Sequence, residues 1–253
     1  MVWLTKPPLG TQLDWANPLN TGLVGLWIFN EGIGDKVYDL SGNENTGTLT
    51  NMAFPSTPTS GWNPGRLGPA IALDGSDDRV NCGNNPIFNI TDTITMSAWV
   101  MLNQNDNLNP IVTKDLAYIL RRTNLAEGKY FQFLVRTGGI WSSKAISIAV
   151  ATPGVWYHVV GTYNKDGGTN NLNIYVNGVR GTPQTVTGTI DTNTELVNIG
   201  FRIVNFFNGL IDESRIWNRV LTNDEILTLY TSPYSMFIDE STCPPIACSL
   251  TVE

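Results

Sequence analysis

Carboxylates and one imidazole are the groups in this sequence able to catalyse a reaction or hold a cation, and their spacing decides what they can do together. Asp74-Gly75-Ser76-Asp77-Asp78 puts three carboxylates into one short run. Without a cation or backbone N–H donors they repel one another, but a solvated hairpin tip tolerates this at little cost, so the turn reading is favoured over metal binding. Asp212 and Glu213 are adjacent, and on a regular strand they point to opposite faces. Asp191 and Glu195 would share a face if extended, yet Thr192-Asn193-Thr194 between them reads as a loop. His158, the sole histidine, stands between Tyr157 and Val159 and is expected as a packed structural residue, not a general base. No nucleophile elbow and no phosphate-cradling glycine loop occurs. Cys82, Cys243 and Cys248 are too few for a disulfide framework, and zinc normally needs four ligands. A bridge between Cys243 and Cys248 stays open, because Pro244-Pro245 favours an extended path between them.

Binding chemistry is better represented. A sugar presents one apolar face and a ring of hydroxyls, so its recognition calls for an exposed aromatic platform beside directional polar groups. Trp62, Trp141 and Phe206 lie in or beside expected loops flanked by Gly, Asn or Ser. Each could equally plug a core or anchor a loop.

The elements that must position these residues are strands. Gly 24 and Pro 14, with only 15% charged residues, describe a turn-rich chain. Apolar or alternating runs separated by Gly, Asn, Asp and Pro predict strands near 23–29, 70–73, 79–82, 94–100, 111–113, 118–122, 129–136, 145–150, 155–163, 172–176, 196–200 and 209–217. Ile94, Met96, Ala98 and Val100 share one face, as do Leu172, Ile174 and Val176. Asn177-Gly178 then predicts a type I′ hairpin turn. Thr222-Asn223-Asp224-Glu225 has the form of a capping box, opening one short helix that Pro233 stops. Residues 1–21 read as an extended arm running over a surface and anchored by Trp3 and Trp15, residues 22–232 as one domain, and residues 233–253 as a tail. Arm and tail, separate from the domain, are the parts expected to contact other subunits.

A net charge of −7 argues against nucleic acid. Arg121-Arg122 is the longest basic run and is expected as a solvated strand end. No stretch approaches the ~18 apolar residues of a membrane span, and Pro7-Pro8 interrupts the opening before a secretion signal develops.

Several blocks, in order, resemble the laminin-G-like members of the concanavalin-A-like lectin/glucanase family. They are Gly25-Leu26-Trp27-Ile28-Phe29-Asn30-Glu31-Gly32, Asp39-Leu40-Ser41-Gly42-Asn43, Ala72-Leu73-Asp74-Gly75-Ser76-Asp77-Asp78, Ser97-Ala98-Trp99-Val100, Trp156-Tyr157-His158-Val159, Tyr175-Val176-Asn177-Gly178 and Gly209-Leu210-Ile211-Asp212-Glu213-Ser214-Arg215-Ile216. The resemblance covers about residues 22–231 and implies an all-β fold, an antiparallel two-sheet jelly-roll sandwich. The opening Trp15-Ala16-Asn17-Pro18-Leu19-Asn20-Thr21-Gly22-Leu23-Val24-Gly25 is most similar to laminin-G-like proteins encoded in phage genomes. The resemblance implies a non-catalytic virion or surface protein that attaches to glycan or decorates a capsid or tail. A free-standing lectin is the alternative, and a glycoside hydrolase is a third. The glucanases of the family carry Glu-x-Asp-x-x-Glu, which puts two carboxylates on one strand face, and that motif is absent here. Family members often hold a structural Ca²⁺, for which Asp39, Asn43 and Asp212 are the candidate ligands. Asp39 and Asn43 would otherwise serve as Asx-turns.

Overall fold

The computed structural model describes residues 5–103 and 107–238. Trp3, Cys243 and Cys248 lie outside the described residues. The expected alternation produces two antiparallel sheets. Across the first run Val179–Arg180, Leu172–Val176, Trp156–Asn164, Thr93–Leu102, Asn208–Trp217, Pro69–Asp74 and Gly61–Pro64, with Leu23–Trp27 also paired to Asn208–Trp217. The second runs Ile140–Trp141, Tyr130–Thr137, Tyr118–Arg122, Asn109–Lys114, Val197–Ile199, Arg79–Asn81, Gly47–Thr50 and Lys36–Val37, with Ala145–Val150 paired to Tyr130–Thr137.

Inward-facing side chains of both sheets form one apolar core. Ile94, Met96, Ala98 and Val100 of the first sheet meet Val112, Leu120, Phe133 and Val135 of the second, all fully buried. Packing there is tight enough that a Cβ on Gly161 would lie 2.3 Å from the Phe133 ring. Asn177 and Gly178 both adopt positive φ, 51° and 80°, and return the chain into Val179–Arg180 as the dipeptide predicts. Thr222 caps the helix Asn223–Thr231 through a complete capping box with Glu225. No helix among the described residues is long and apolar enough to cross a membrane.

A third layer lies on the outside of the first sheet, where the described part of the arm, expected to run extended over a surface, packs on its own sandwich. Leu13 and Leu19 are 4% and 3% exposed and pack with Trp217, Ile226, Leu229, Tyr234 and Phe237. Leu13 bridges to Phe237, the Asp14 amide donates to Met236 O, and the Trp217 indole donates to Leu19 O. Trp15 is not an anchor; it is 62% exposed, because the apolar positions of the arm fall at Leu13 and Leu19.

The layer covers a polar centre. Asp212, Glu213, Ser214 and Arg215 are all fully buried in the central strand. A bulge between Asp212 and Arg215, with Glu213 at φ 51°, breaks strict alternation. Both carboxylates therefore meet partners from the third layer, where a regular strand would have separated them. Lys6 Nζ donates to Asp212 Oδ1 at 2.6 Å, to Phe29 O at 2.9 Å and to Pro69 O. Glu213 accepts from Tyr234 at 2.6 Å and pairs with Arg215 at 3.1 Å. Burial pushes the Asp212 carboxyl up, against the pull of the Lys6 ammonium and with the push of Glu213.

Breaking such a buried pair on one side costs roughly 3–5 kcal/mol, so Lys6→Ala should destabilise the fold by that order in urea titrations at pH 7. With the ammonium gone, the folded pKa of Asp212 lies further above its unfolded value. The carboxyl, already at about 8 beside Lys6, then keeps a proton that the wild-type chain releases as pH rises through that value, so the loss should grow from pH 7 to 9. An equal loss at both pH values would contradict the pairing.

Candidate functional site

The outside of the second sheet is assembled by strand register. Lys36, Thr48, Asn81, Asn198, Thr113, Ile119 and Leu134 stand opposite one another in successive strands. In neighbouring rows Arg121 faces Gln132, and Arg136 faces Trp141. These positions alternate with the core residues Val112, Leu120, Phe133 and Val135, so they point away from the core.

A small hairpin, Phe201–Arg202 paired with Asn205–Phe206, lies over this face. Gly200, at φ 82°, turns the chain out of the sheet, and the Thr113 hydroxyl donates to Phe201 O at 2.7 Å. Ile119 and Leu134, although on the outward face, are only 1% and 4% exposed. The Phe201 and Phe206 rings sit 4.8 Å apart, both half-buried.

Arg202 ties three loop tips together. Its guanidinium contacts Asp115 at 2.8 Å on the tip of the Asn109–Arg122 hairpin, and lies 5.1 Å from the Trp141 ring on a third strand. Asn193 supports that tip by donating to Asp115 O at 3.0 Å. Arg136 pairs with Asp191 at 2.9 Å, and the same carboxylate accepts from the Gly139 amide at 2.9 Å. Arg121 donates to Gln132 Oε1 at 3.0 Å, with Glu127 3.6 Å away. The result is a rigid outward surface of three half-buried aromatic rings among guanidinium, amide and carboxylate groups. It can stack a sugar face and hydrogen-bond its hydroxyls.

Two expected sugar residues, Trp141 and Phe206, thus come onto one face, linked through Arg202 and Phe201. Trp62 does not join them. It lies on the edge strand of the first sheet, 8% exposed, with its indole donating to Gly34 O at 2.8 Å. There it walls an open groove of about 470 Å³ with Gly32, Asn63, Pro64 and Pro69. Arg121 and Arg122 form a strand end, but they are 8% and 0% exposed, not solvated. Phe201, Arg202, Arg79 and Arg136 escaped sequence reasoning. Only the near-palindromic Phe201-Arg202-Ile203-Val204-Asn205-Phe206 signalled a hairpin.

The candidate calcium ligands do not fit a shared ion. Asp39 Oδ1 accepts the Leu26 and Ser41 amides, and Oδ2 accepts the Asn45 amide and the Ser41 hydroxyl, all at 2.8–3.0 Å. Asn43 Nδ2 donates to Leu23 O and Val24 O. Both side chains clamp the loop to the Leu23–Trp27 strand, while Asp212 is held by Lys6. The ammonium already neutralises the carboxylate that a cation would need.

Asp74, Asp77 and Asp78 offer oxygens within 4.8 Å of one another. Asp74 Oδ1 accepts the Ser76 and Asp77 amides, and Asp78 Oδ2 accepts the Asp74 amide at 3.1 Å, which makes a capped turn. His158 is unsuited to proton transfer. Fully buried against the Trp99 and Tyr230 rings, it is pushed down to about 3 by burial and by Arg215 and Arg66.

Burial also raises Asp78 from 3.8 to about 6, with Asp74 and Asp77 adding to it against hydrogen bonds from Ser60 and Asp74. Between those pH values the folded chain keeps a proton that the unfolded chain has released, so this group loses stability as pH rises through the window. Asp78→Asn should raise the melting temperature at pH 7.5 and leave it nearly unchanged near pH 4 in chelator. A lower melting temperature at pH 7.5 would show that the carboxylate is paired.

Residues 74–227 match the family model described as the concanavalin A-like lectin/glucanases superfamily. No curated protein matches the chain. Among solved structures, domain 4 of a GH43 extracellular arabinanase from Geobacillus stearothermophilus, in complex with arabinotriose, is similar at a TM-score of 0.63 and 19% identity; the match covers 83% of this chain and 98% of that one. The binding domain of Paraclostridial Mosquitocidal Protein 1 matches at 0.63 and 18%, over 86% of this chain and 53% of that one. A Trypanosoma rangeli sialidase in complex with sialic acid matches at 0.59 and 16%, over 87% of this chain and 34% of that one. The chain thus spans nearly all of the first, about half of the second and a third of the last. With two antiparallel sheets closed over one core and a model match across well over half its length, the chain belongs to the concanavalin A-like lectin/glucanase superfamily.

Proposed function

We propose that this chain is a non-catalytic carbohydrate-binding domain whose glycan lies across the outside of the second sheet, on Trp141, Phe201 and Phe206. The observation that carries the reading is Arg202, which holds an aromatic hairpin, a carboxylate tip and Trp141 in one fixed arrangement. Rings fixed in advance lose little entropy when a sugar stacks on them. The arabinotriose complex of the arabinanase domain supports glycan as the ligand class. Against catalysis, His158 is sealed from solvent, and Asp115 and Asp191, the carboxylates bordering the rings, are each occupied by an arginine.

In its finer form the reading places the domain on a virion or cell surface as an attachment module. The similarity of Trp15 to Gly25 to phage-encoded laminin-G-like proteins supports this. The arm expected to reach neighbouring subunits is instead spent on its own sandwich through Lys6, Leu13 and Leu19, so attachment runs through the sheet face.

Affinity electrophoresis of the full chain in gels containing arabinan, galactan, polygalacturonate or chondroitin sulfate tests the reading. Retardation without release of reducing ends is expected. Trp141→Ala should weaken retardation roughly thirtyfold, the scale of a buried aromatic anchor, with little change in melting temperature because Trp141 is on a two-residue edge strand. Release of reducing ends, or retardation indifferent to Trp141, would overturn it.

A further inference from the structure

We propose that the ligand is an acidic saccharide and that Arg79 recognises its carboxylate or sulfate group, an inference that rests on the glycan-binding reading above. The other arginines of this face are engaged. Arg121 serves Gln132, Arg136 serves Asp191, and Arg202 serves Asp115. The Arg79 guanidinium makes no hydrogen bond and no ion pair with any described residue. Its guanidinium is instead laid over the Phe201 ring, 5.0 Å from the centroid, and Phe201 is in turn packed on Phe206.

That placement turns a flexible side chain into a fixed recognition group. A guanidinium stacked on a ring keeps its N–H fork free in the plane, which matches the two oxygens of a carboxylate or sulfate. Arg79 is half-buried, so part of its hydration is already stripped and less remains to be lost on binding.

The surroundings match the same ligand. Asp115, Glu127 and Asp191 are taken by Arg202, by Lys144 with Arg121, and by Arg136, which leaves Arg79 as the guanidinium of this face without a carboxylate partner among the described residues. Cation and packed rings together describe a sugar that carries an anionic substituent.

The test uses the full chain in gels and calorimetry with polygalacturonate (carboxylated), chondroitin sulfate (both anions) and arabinan (neutral). The wild-type chain should bind at least one acidic polymer more tightly than arabinan, and 0.5 M NaCl should weaken that binding. Arg79→Gln should lose roughly ten- to a hundredfold on the acidic polymer, the scale of a charge-assisted pair. Arg79→Lys should recover only part of it, since an ammonium has no planar fork. Wild-type binding to arabinan alone, or acidic binding unchanged in Arg79→Gln, would overturn the assignment of Arg79 while leaving the aromatic face as the binding site. Binding to none of these three polymers and not to galactan would sink both readings.

Discussion

Four consecutive polar residues, Asp212 to Arg215, are buried in the central strand of the first sheet, and the placement of the segments around Lys6 and Tyr234 follows from the need to pair them. An uncompensated carboxylate in such a layer costs several kcal/mol. Lys6 reaches across more than two hundred residues of sequence to meet Asp212, while Tyr234 and Pro233 O meet Glu213 and Arg215. The helix Asn223–Thr231 and the arm between them then seal Leu13, Leu19, Ile226 and Leu229 away from water. Polar pairing sets the register of this layer and apolar burial closes it.

The same constraint decides where binding can occur. With the helix and the arm laid on the outside of the first sheet, the outside of the second offers a surface to a ligand. Among the described residues a short hairpin lies over it, and that hairpin brings aromatic rings with it. Its tip carries Ile203 at φ 59° and Val204, 55% and 78% exposed. A β-branched residue in the left-handed region is unusual, and the hairpin is held in place by Thr113, Asp115 and Trp141, not by its own turn chemistry. Fixed side-chain anchoring is what makes the aromatic surface rigid.

Departures from strand regularity carry much of the local detail. A regular strand would have sent Asp212 and Glu213 to opposite faces; the bulge brings both to the third layer. Asp39 and Asn43 have the oxygens to hold a hard cation, yet Asp39 has four protein donors and Asn43 bonds the adjoining strand. Oxygen-rich loops are ambiguous until the donors around them are known, because the same groups satisfy backbone amides as readily as ions.

The sequence by itself determined what depends on near neighbours. Alternating faces such as Ile94, Met96, Ala98 and Val100, the Asn177-Gly178 turn and the Thr222–Glu225 capping box were all legible, since side-chain period, positive φ and cap geometry act within a few residues. Tertiary structure decided the rest. Lys36–Val37, Gly47–Thr50 and Gly61–Pro64 are too short or too rich in Gly and Pro to declare themselves, and they are strands because a neighbour supplies their hydrogen bonds. Trp141 and Phe206 were visible as candidates, but Trp62 has the same local texture and points into a different wall. The tertiary fold alone joins Arg79, Trp141 and Arg202, because contacts between distant strands depend on register and on the path of the Phe201–Phe206 hairpin, neither of which any short window of residues encodes.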